Sequence, residues 1–158
     1  MTTDQILETA GIPLLLFVIL IYYGMRLWFM KDIYRRFKML KVLLVDDEEE
    51  VYSVIMKKLD WEAMGFRIAG YARNGVEALE MAEEIQPDVV MTDIKMPYMD
   101  GLTLSKKLKE LYQKIKIIIF SGFDEFEYAK EAIKIEAEEY ILKPINSNEL
   151  REVFERIR

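Results

Sequence analysis

Acidic, hydroxyl and ammonium side chains follow four short apolar runs of the sequence, and they are the candidates for chemistry. These side chains are Asp46 and Asp47 after the run 41–45, Asp93 after 88–92, Ser121 after 115–120 and Lys143 after 139–142. If the four runs are parallel strands of one sheet, their carboxyl ends meet at one edge. Open α/β sheets bind their ligands at that edge.

Three carboxylates at one edge of a sheet repel one another and need a cation. Oxygen donors of this kind suit Mg²⁺, which keeps some of its waters and takes phosphate oxygens as further ligands. Lys143 would supply positive charge for an incoming anion, and Ser121 would supply a hydrogen bond. The set therefore predicts a phosphoryl site with a carboxylate nucleophile, of the aspartyl-phosphate kind.

Each of these residues also has a purely structural explanation. An Asp after a strand is commonly the N-cap of the next helix. Ser121 precedes Gly122 and fits a turn, and Lys143 by itself fits an ordinary surface position. The joint placement of these residues after four separate runs, and no single residue among them, indicates a site.

The composition excludes several other kinds of chemistry. The 158 residues include no Cys and no His, which excludes disulfides, thiolate or histidine metal sites, a Ser-His-Asp triad and a phosphohistidine on this chain. The formal net charge is −6, so we expect no direct binding of nucleic acid. Residues 1–38 hold five basic and three acidic side chains and carry +2, which leaves −8 on residues 39–158.

Apolar runs alternate with amphipathic segments from residue 39 onward. The pattern predicts strands at 41–45, 66–72, 88–92, 115–120 and 139–142, and helices at 48–59, 76–85, 101–111, 124–135 and 147–157. Five strand–helix units with right-handed crossovers predict a flavodoxin-like (βα)₅ fold. Its doubly wound parallel sheet has the strand order 2-1-3-4-5.

The N-terminal segment contains an uncharged stretch from Ala10 to Met25. A helix over these 16 residues is about 24 Å long, and continuation through Arg26 to Met30 brings it to about 31 Å, near the bilayer's hydrocarbon thickness of about 30 Å. Acidic residues precede the stretch and basic residues follow it. The pattern predicts a short tail (residues 1–9), a single membrane span (10–30), a basic juxtamembrane linker (31–38) and a cytoplasmic domain (39–158).

The N-terminal segment has two other interpretations. A signal peptide begins with basic residues, whereas this chain begins with Asp4 and Glu8, which disfavours that interpretation. A helix packed in a protein core remains an alternative because the uncharged stretch is short. The chain would then be cytoplasmic and not membrane-bound.

Four separated motifs give the domain its resemblance to a known family. They are VLLVDDE at 42–48, PDVVMTDIKMPYMDG at 87–101, IIIFSGFDEFEYAKEAI at 117–133 and YILKPI at 140–145. Residues 39–158 strongly resemble the receiver domain of bacterial two-component response regulators. The tract 57–80 resembles the subgroup in which an AraC-type DNA-binding domain follows the receiver.

The resemblance implies that a partner histidine kinase phosphorylates Asp93. It implies that Mg²⁺ is bound by Asp46, Asp47, Asp93 and the backbone carbonyl of Lys95, and that Lys143 pairs with the phosphoryl group. The domain would be a signalling switch and not an enzyme, catalysing only its own phosphoryl transfer and dephosphorylation. Because the chain has no His, the phosphoryl group must come from another molecule.

The resemblance also implies a switch. Ser121 would hydrogen-bond the phosphoryl group, Tyr140 would turn inward behind it, and the Lys143–Pro144 peptide would be cis. The changed surface would cover residues 121–157, where mixed charges suit a homodimer or simply a solvated face. The output would be transcription through a domain absent from this chain, or, alternatively, contact with a partner at the membrane.

Two other classes of protein share parts of this pattern. A small hydrolase of the aspartyl-phosphate kind needs a second carboxylate two residues after its nucleophile, and Lys95 occupies that position after Asp93. A flavodoxin-like electron carrier needs a Ser/Thr-rich phosphate loop after the first strand. This chain has DDEEE at 46–50, which repels phosphate unless a metal is bound.

Overall fold

The computed structural model describes residues 3–122 and 126–158, with the backbone alone described for residues 3–14, 32 and 34–37. It divides the chain into two units, Met1–Lys38 and Met39–Arg158. Each unit is described by itself.

The N-terminal unit contains one helix, α1 (Thr3–Phe37), of 35 residues. Among the described residues, no helix is sufficiently long and apolar to cross a membrane. The predicted span over residues 10–30, and the single-pass membrane localisation with it, is therefore not supported. The physical reason is the short length of the uncharged stretch, which supplies only about 24 Å of helix before Arg26 and Lys31.

The tail and linker predicted on either side of the span lie largely within the same helix. Residues 1 and 2 of the predicted tail lie outside the described residues, and the remainder of 1–9 is helical. The predicted linker at 31–38 continues the same helix as far as Phe37. A run of charged residues therefore does not end this helix.

The second unit alternates strands and helices as predicted. Its elements are β1 (Leu40–Val45), α2 (Glu49–Lys58), β2 (Phe66–Ala72), α3 (Gly75–Ile85), β3 (Val89–Thr92), α4 (Gly101–Leu111), β4 (Lys116–Ser121), α5 (Phe126–Lys134), β5 (Glu139–Leu142) and α6 (Ser147–Ile157). Position 124, where the helix of 124–135 was predicted to begin, lies outside the described residues.

The five strands form one parallel sheet in the order β2-β1-β3-β4-β5. This confirms the predicted flavodoxin-like topology. The order reverses direction after β1, between β1 and β3, and ligands of doubly wound sheets bind outside the strand ends at such a point. Asp46 and Asp93 directly follow these two strands.

Residues 42–45 of strand β1 are buried on both faces of the sheet, which explains this continuous apolar stretch. On one face, Val42 and Leu44 pack in a core cluster with residues of α2 and α6, such as Phe154. On the other face, Leu43 and Val45 pack in a second cluster with residues of α3 and α4. Helices on both faces hold the sheet rigidly beneath the strand ends.

Candidate functional site

The ends of four strands bring the predicted side chains to one edge of the sheet. Asp46 follows β1, Asp93 follows β3, Ser121 is the last residue of β4 and Lys143 follows β5. Asp46, Asp93 and Ser121 are buried and Lys143 is half-buried. Buried polar side chains in proteins almost always have a hydrogen-bond or ion-pair partner. The partners of these four side chains therefore describe the site.

Lys143 is the centre of the charge pairing. Its Nζ lies 2.8 Å from Oδ2 of Asp46 and 3.4 Å from Oδ2 of Asp93. The Nζ also lies 3.9 Å from Oε1 of Glu48 and 5.0 Å from the centroid of the buried Phe120 ring. One ammonium group therefore faces several carboxylates at once.

The three aspartates that were predicted to bind a cation lie close together. One carboxylate oxygen from each of Asp46, Asp47 and Asp93 lies within 4.8 Å of the other two. Asp47 is exposed, whereas Asp46 is fully buried. Hard oxygen donors at this spacing, open to water on one side, fit Mg²⁺.

Backbone contacts fix the position of Asp46. Its backbone N–H donates to the carbonyl of Ala72 at 3.0 Å, and its Oδ1 accepts a hydrogen bond from the N–H of Glu48 at 2.8 Å. The hydroxyl of Tyr71 donates to the backbone carbonyl of Asp46 at 2.7 Å. These contacts tie the end of β1 to β2 and to the start of α2.

Backbone contacts fix Asp93 as well. Its N–H donates to the carbonyl of Val45 at 2.9 Å, and its Oδ1 accepts from the N–H of Ile94 at 2.8 Å. Its backbone carbonyl accepts from Oγ1 of Thr92 at 2.8 Å. Gly101 packs against the same carbonyl so closely that a Cβ there would lie 1.8 Å from the oxygen.

The remaining predicted residues are placed as follows. Lys95 is exposed, and its Nζ lies 5.7 Å from the ring centroid of Tyr128 on α5. The carbonyl of Ser121 accepts from the N–H of Lys143 at 2.8 Å. Tyr140 is half-buried on β5, opposite Ile119 of β4. The predicted cis peptide between Lys143 and Pro144 is confirmed.

Sequence reasoning missed three residues at this site. Glu48 was not expected to face Lys143, although it continues the acidic run of the first loop. Tyr71 was not singled out, although the predicted strand order places the end of β2 beside β1. Gly101 is the last residue of the motif at 87–101, which could have drawn attention to it. Its contact with Asp93 depends on the conformation of the loop between β3 and α4.

Burial dominates the electrostatics of the two buried aspartates. It raises the pKa of Asp46 and of Asp93 above the usual range, although the nearby Lys143 ammonium opposes both shifts. Burial works to lower the pKa of Lys143, but its hydrogen bond with Asp46 and the negative charges of Asp46 and Asp93 outweigh burial and raise it. The ammonium therefore stays protonated near neutral pH, while burial still disfavours the ionised form of Asp46 and of Asp93.

We predict that Asp93→Asn stabilises the chain at pH 7 in the absence of divalent cations. Because the folded pKa of Asp93 is raised, the folded chain holds this proton more tightly than the unfolded chain, and the fold loses stability as pH rises above about 4. Asn removes that loss, so we expect a gain of about 1 kcal/mol in the free energy of unfolding.

Urea unfolding at several pH values, followed by the fluorescence of the buried Trp61, measures this gain. It should be present at pH 7 and shrink as the pH is lowered. The matched control is Asp60→Asn at an exposed position whose Oδ1 accepts one hydrogen bond from Ala63, which Asn retains. If Asp93→Asn is no more stable than the control variant, the loss of stability does not come from the ionised carboxylate of Asp93.

The parallel sheet and the acidic site at its switch point define a receiver-type signalling domain. The profile of the response regulator receiver domain matches residues 42–155. The chain therefore belongs to the response regulator receiver family. Membership supports phosphorylation-dependent signalling, and it confirms the predicted class of domain.

Curated relatives and solved structures agree with this assignment. Over 119 residues, 75% of this chain, it is 44% identical to YesN of Bacillus subtilis, described as an uncharacterized transcriptional regulatory protein, and 34% identical to the transcriptional regulatory protein HptR of Staphylococcus aureus. The chain spans 32% of the length of YesN and 46% of that of HptR.

Two solved structures resemble this chain over three quarters of its length. The receiver domain of AraT, a response regulator from Geobacillus stearothermophilus, has a TM-score of 0.71 and 39% identity, covering 75% of this chain and 92% of that chain. A CheX–CheY complex with BeF₃ and Mg²⁺ from Borrelia burgdorferi has a TM-score of 0.69 and 25% identity, covering 75% and 88%. Both share the fold described above.

Proposed function

We propose that this chain is the phospho-acceptor of a two-component phosphorelay, phosphorylated on Asp93 by a partner histidine kinase. The observation that carries the proposal is the Lys143 ammonium lying between the buried carboxylates of Asp46 and Asp93. A buried carboxylate beside a fixed cation is arranged to receive an anionic group. Phosphoryl transfer depends on such positioning and charge neutralisation more than on other groups of the protein.

In the proposed reaction, an oxygen of the Asp93 carboxylate attacks the phosphorus of the donor. The new O–P bond forms as the bond between phosphorus and the donor's leaving atom breaks, and the leaving group keeps the electron pair. When bound by Asp46, Asp47, Asp93 and the backbone carbonyl of Lys95, Mg²⁺ would neutralise charge on these oxygens and on the phosphoryl group. The Ile94 N–H holds Oδ1 of Asp93, which directs the second oxygen, Oδ2, towards Lys143.

The phosphoryl group adds about two negative charges at neutral pH. Lys143 would move its ion pair from Asp93 to a phosphoryl oxygen, and the Ser121 hydroxyl would donate a hydrogen bond to another. Tyr140 would then turn inward. The loops after β3 and β4 would shift together, which is how a local charge change drives a two-state switch.

The output would pass through the surface formed by residues 121–157. Phe126 and Ile133 of α5 are large apolar side chains there, 77% and 76% exposed, which supports a homodimer on phosphorylation. The relatives described as transcriptional regulators support control of transcription, with DNA contacted by a domain other than the receiver. In this role the chain acts as a switch, and its only chemistry is its own phosphorylation and dephosphorylation.

The test is phosphorylation of the full chain by acetyl phosphate in the presence of Mg²⁺. Intact-mass measurement should show one phosphoryl adduct on the wild type and on Asp60→Asn, and none on Asp93→Asn or after chelation of Mg²⁺. Since Asp93→Asn is expected to be more stable than the wild type is without divalent cations, its loss of the adduct would not reflect unfolding. An undiminished adduct on Asp93→Asn would overturn the proposal.

A further inference from the structure

The hydroxyl of Tyr71 contacts the peptide unit that joins the first two aspartates of the site. It donates a 2.7 Å hydrogen bond to the backbone carbonyl of Asp46, and that carbonyl belongs to the peptide linking Asp46 to Asp47. The N–H of Asp46 is bound to Ala72 of β2. Strand β2 therefore holds the backbone of Asp46 on both sides, by the Ala72 carbonyl and the Tyr71 hydroxyl.

Packing holds the Tyr71 ring in place. Its ring stacks on that of Tyr52 of α2, with centroids 4.8 Å apart and planes at 30°. Both side chains are half-buried. A stacked aromatic pair restricts the rotation of each ring, so the Tyr71 hydroxyl approaches the Asp46 carbonyl from a fixed direction.

The Asp47 carboxylate is held differently from the other two carboxylates. Over residues 3–122 and 126–158, no hydrogen bond holds the carboxylate of Asp47, which is exposed. Asp46 and Asp93, by contrast, each accept a hydrogen bond from a backbone N–H. The Asp46–Asp47 peptide sets where the Asp47 side chain begins, and one carboxylate oxygen of Asp47 lies within 4.8 Å of an oxygen of each of the other two aspartates.

We infer that Tyr71 is a positioning residue for the divalent-cation site and that its hydroxyl pre-orients the Asp46–Asp47 peptide for binding. This inference rests on the proposed function, since it concerns the cation used by the same site. Groups that are already oriented lose less entropy when they bind, which raises affinity without adding a ligand. The Tyr71 hydroxyl is hydrogen-bonded to the backbone carbonyl of Asp46, which is not one of the proposed ligands of the cation.

The test compares Tyr71→Phe with the wild type and with Tyr112→Phe, all as full chains. Phe keeps the ring and removes only the hydroxyl. Tyr112 is also half-buried, and its hydroxyl makes no hydrogen bond within the described part of the chain, so its substitution is the matched control. Isothermal titration with MgCl₂ gives the Kd, and acetyl phosphate labelling at increasing Mg²⁺ gives the half-saturating concentration and the maximal rate.

We expect Tyr71→Phe to raise the Kd for Mg²⁺ and the half-saturating concentration about fivefold, the effect of losing one hydrogen bond. Its maximal rate should stay within about twofold of the wild type, and Tyr112→Phe should change neither quantity. An unchanged Kd in Tyr71→Phe would overturn the inference while leaving the proposed function intact. If the maximal rate of Tyr71→Phe also fell about fivefold, the substitution would have damaged the site in general, and the positioning role would be overturned. A wild type that binds no Mg²⁺ would overturn both proposals.

Discussion

Replacing Gly101 with alanine will destabilise the second unit by about 3 kcal/mol, as overpacking at a rigid contact does. Gly101 is the first residue of α4, and a Cβ there would lie 1.8 Å from the carbonyl oxygen of Asp93 and 3.0 Å from Oγ1 of Thr92. That carbonyl cannot move aside easily, because it accepts a hydrogen bond from the Thr92 hydroxyl. The N–H of Asp93 also donates a hydrogen bond to the carbonyl of Val45. The extra methyl group must therefore displace backbone at the phospho-acceptor.

Urea unfolding followed by Trp61 fluorescence measures this loss, with Gly122→Ala as the matched control. Among the described residues, no heavy atom would lie within 4 Å of a Cβ at Gly122, so we expect the stability of this variant to stay within about 0.5 kcal/mol of the wild type. Equal stability of the two variants would show that the loop from Asp93 to α4 adapts more freely than its hydrogen bonds indicate.

Adding Mg²⁺ at a hundredfold excess over its Kd should stabilise the folded chain by about 2.7 kcal/mol. The physical reason is the close grouping of Asp46, Asp47 and Asp93, whose mutual repulsion a divalent cation relieves. Asp47→Ala removes one donor of this group and should abolish most of the rise in thermal midpoint. Thermal unfolding with and without Mg²⁺ measures the effect.

The control for the loss of negative charge is Glu50→Ala. Glu50 is an exposed acidic residue of the same run, outside the three-carboxylate group. This variant should keep the full Mg²⁺-dependent rise. Two results would show that the acidic cluster is not a metal site. One is a wild-type thermal midpoint that does not change with Mg²⁺, and the other is an equal increase of the midpoint in Asp47→Ala.

The fold could be predicted from sequence because its signals are local. The run at 42–45 is apolar at every position because both faces of β1 are buried there, and the alternation of strands and helices predicts a parallel, doubly wound sheet. The candidate site residues stand at the carboxyl ends of β1, β3, β4 and β5, where the apolar runs end. Asp46, Asp93 and Lys143 could therefore be expected together before any contact between them was known.

The contacts that refine the site could not be predicted in the same way. The bond from Tyr71 to Asp46 joins residues 25 positions apart, and it depends on the register of β1 against β2, which shifts between Val42 and Leu43. The contact of Gly101 with Asp93 depends on the path of the intervening loop. The N-terminal span is not supported for another reason, since its prediction needed Arg26 within the span to extend an uncharged stretch that was already short.

The central claim is that the Asp93 carboxylate carries the phosphoryl group, and borohydride trapping tests it most directly. An acyl phosphate is reduced to the alcohol, so phospho-aspartate becomes homoserine at the same position. After labelling with acetyl phosphate and Mg²⁺, peptide mass spectrometry of the reduced full chain should place homoserine at position 93. Homoserine at Asp46, Asp47 or another position, with an intact Asp at 93, would contradict the account.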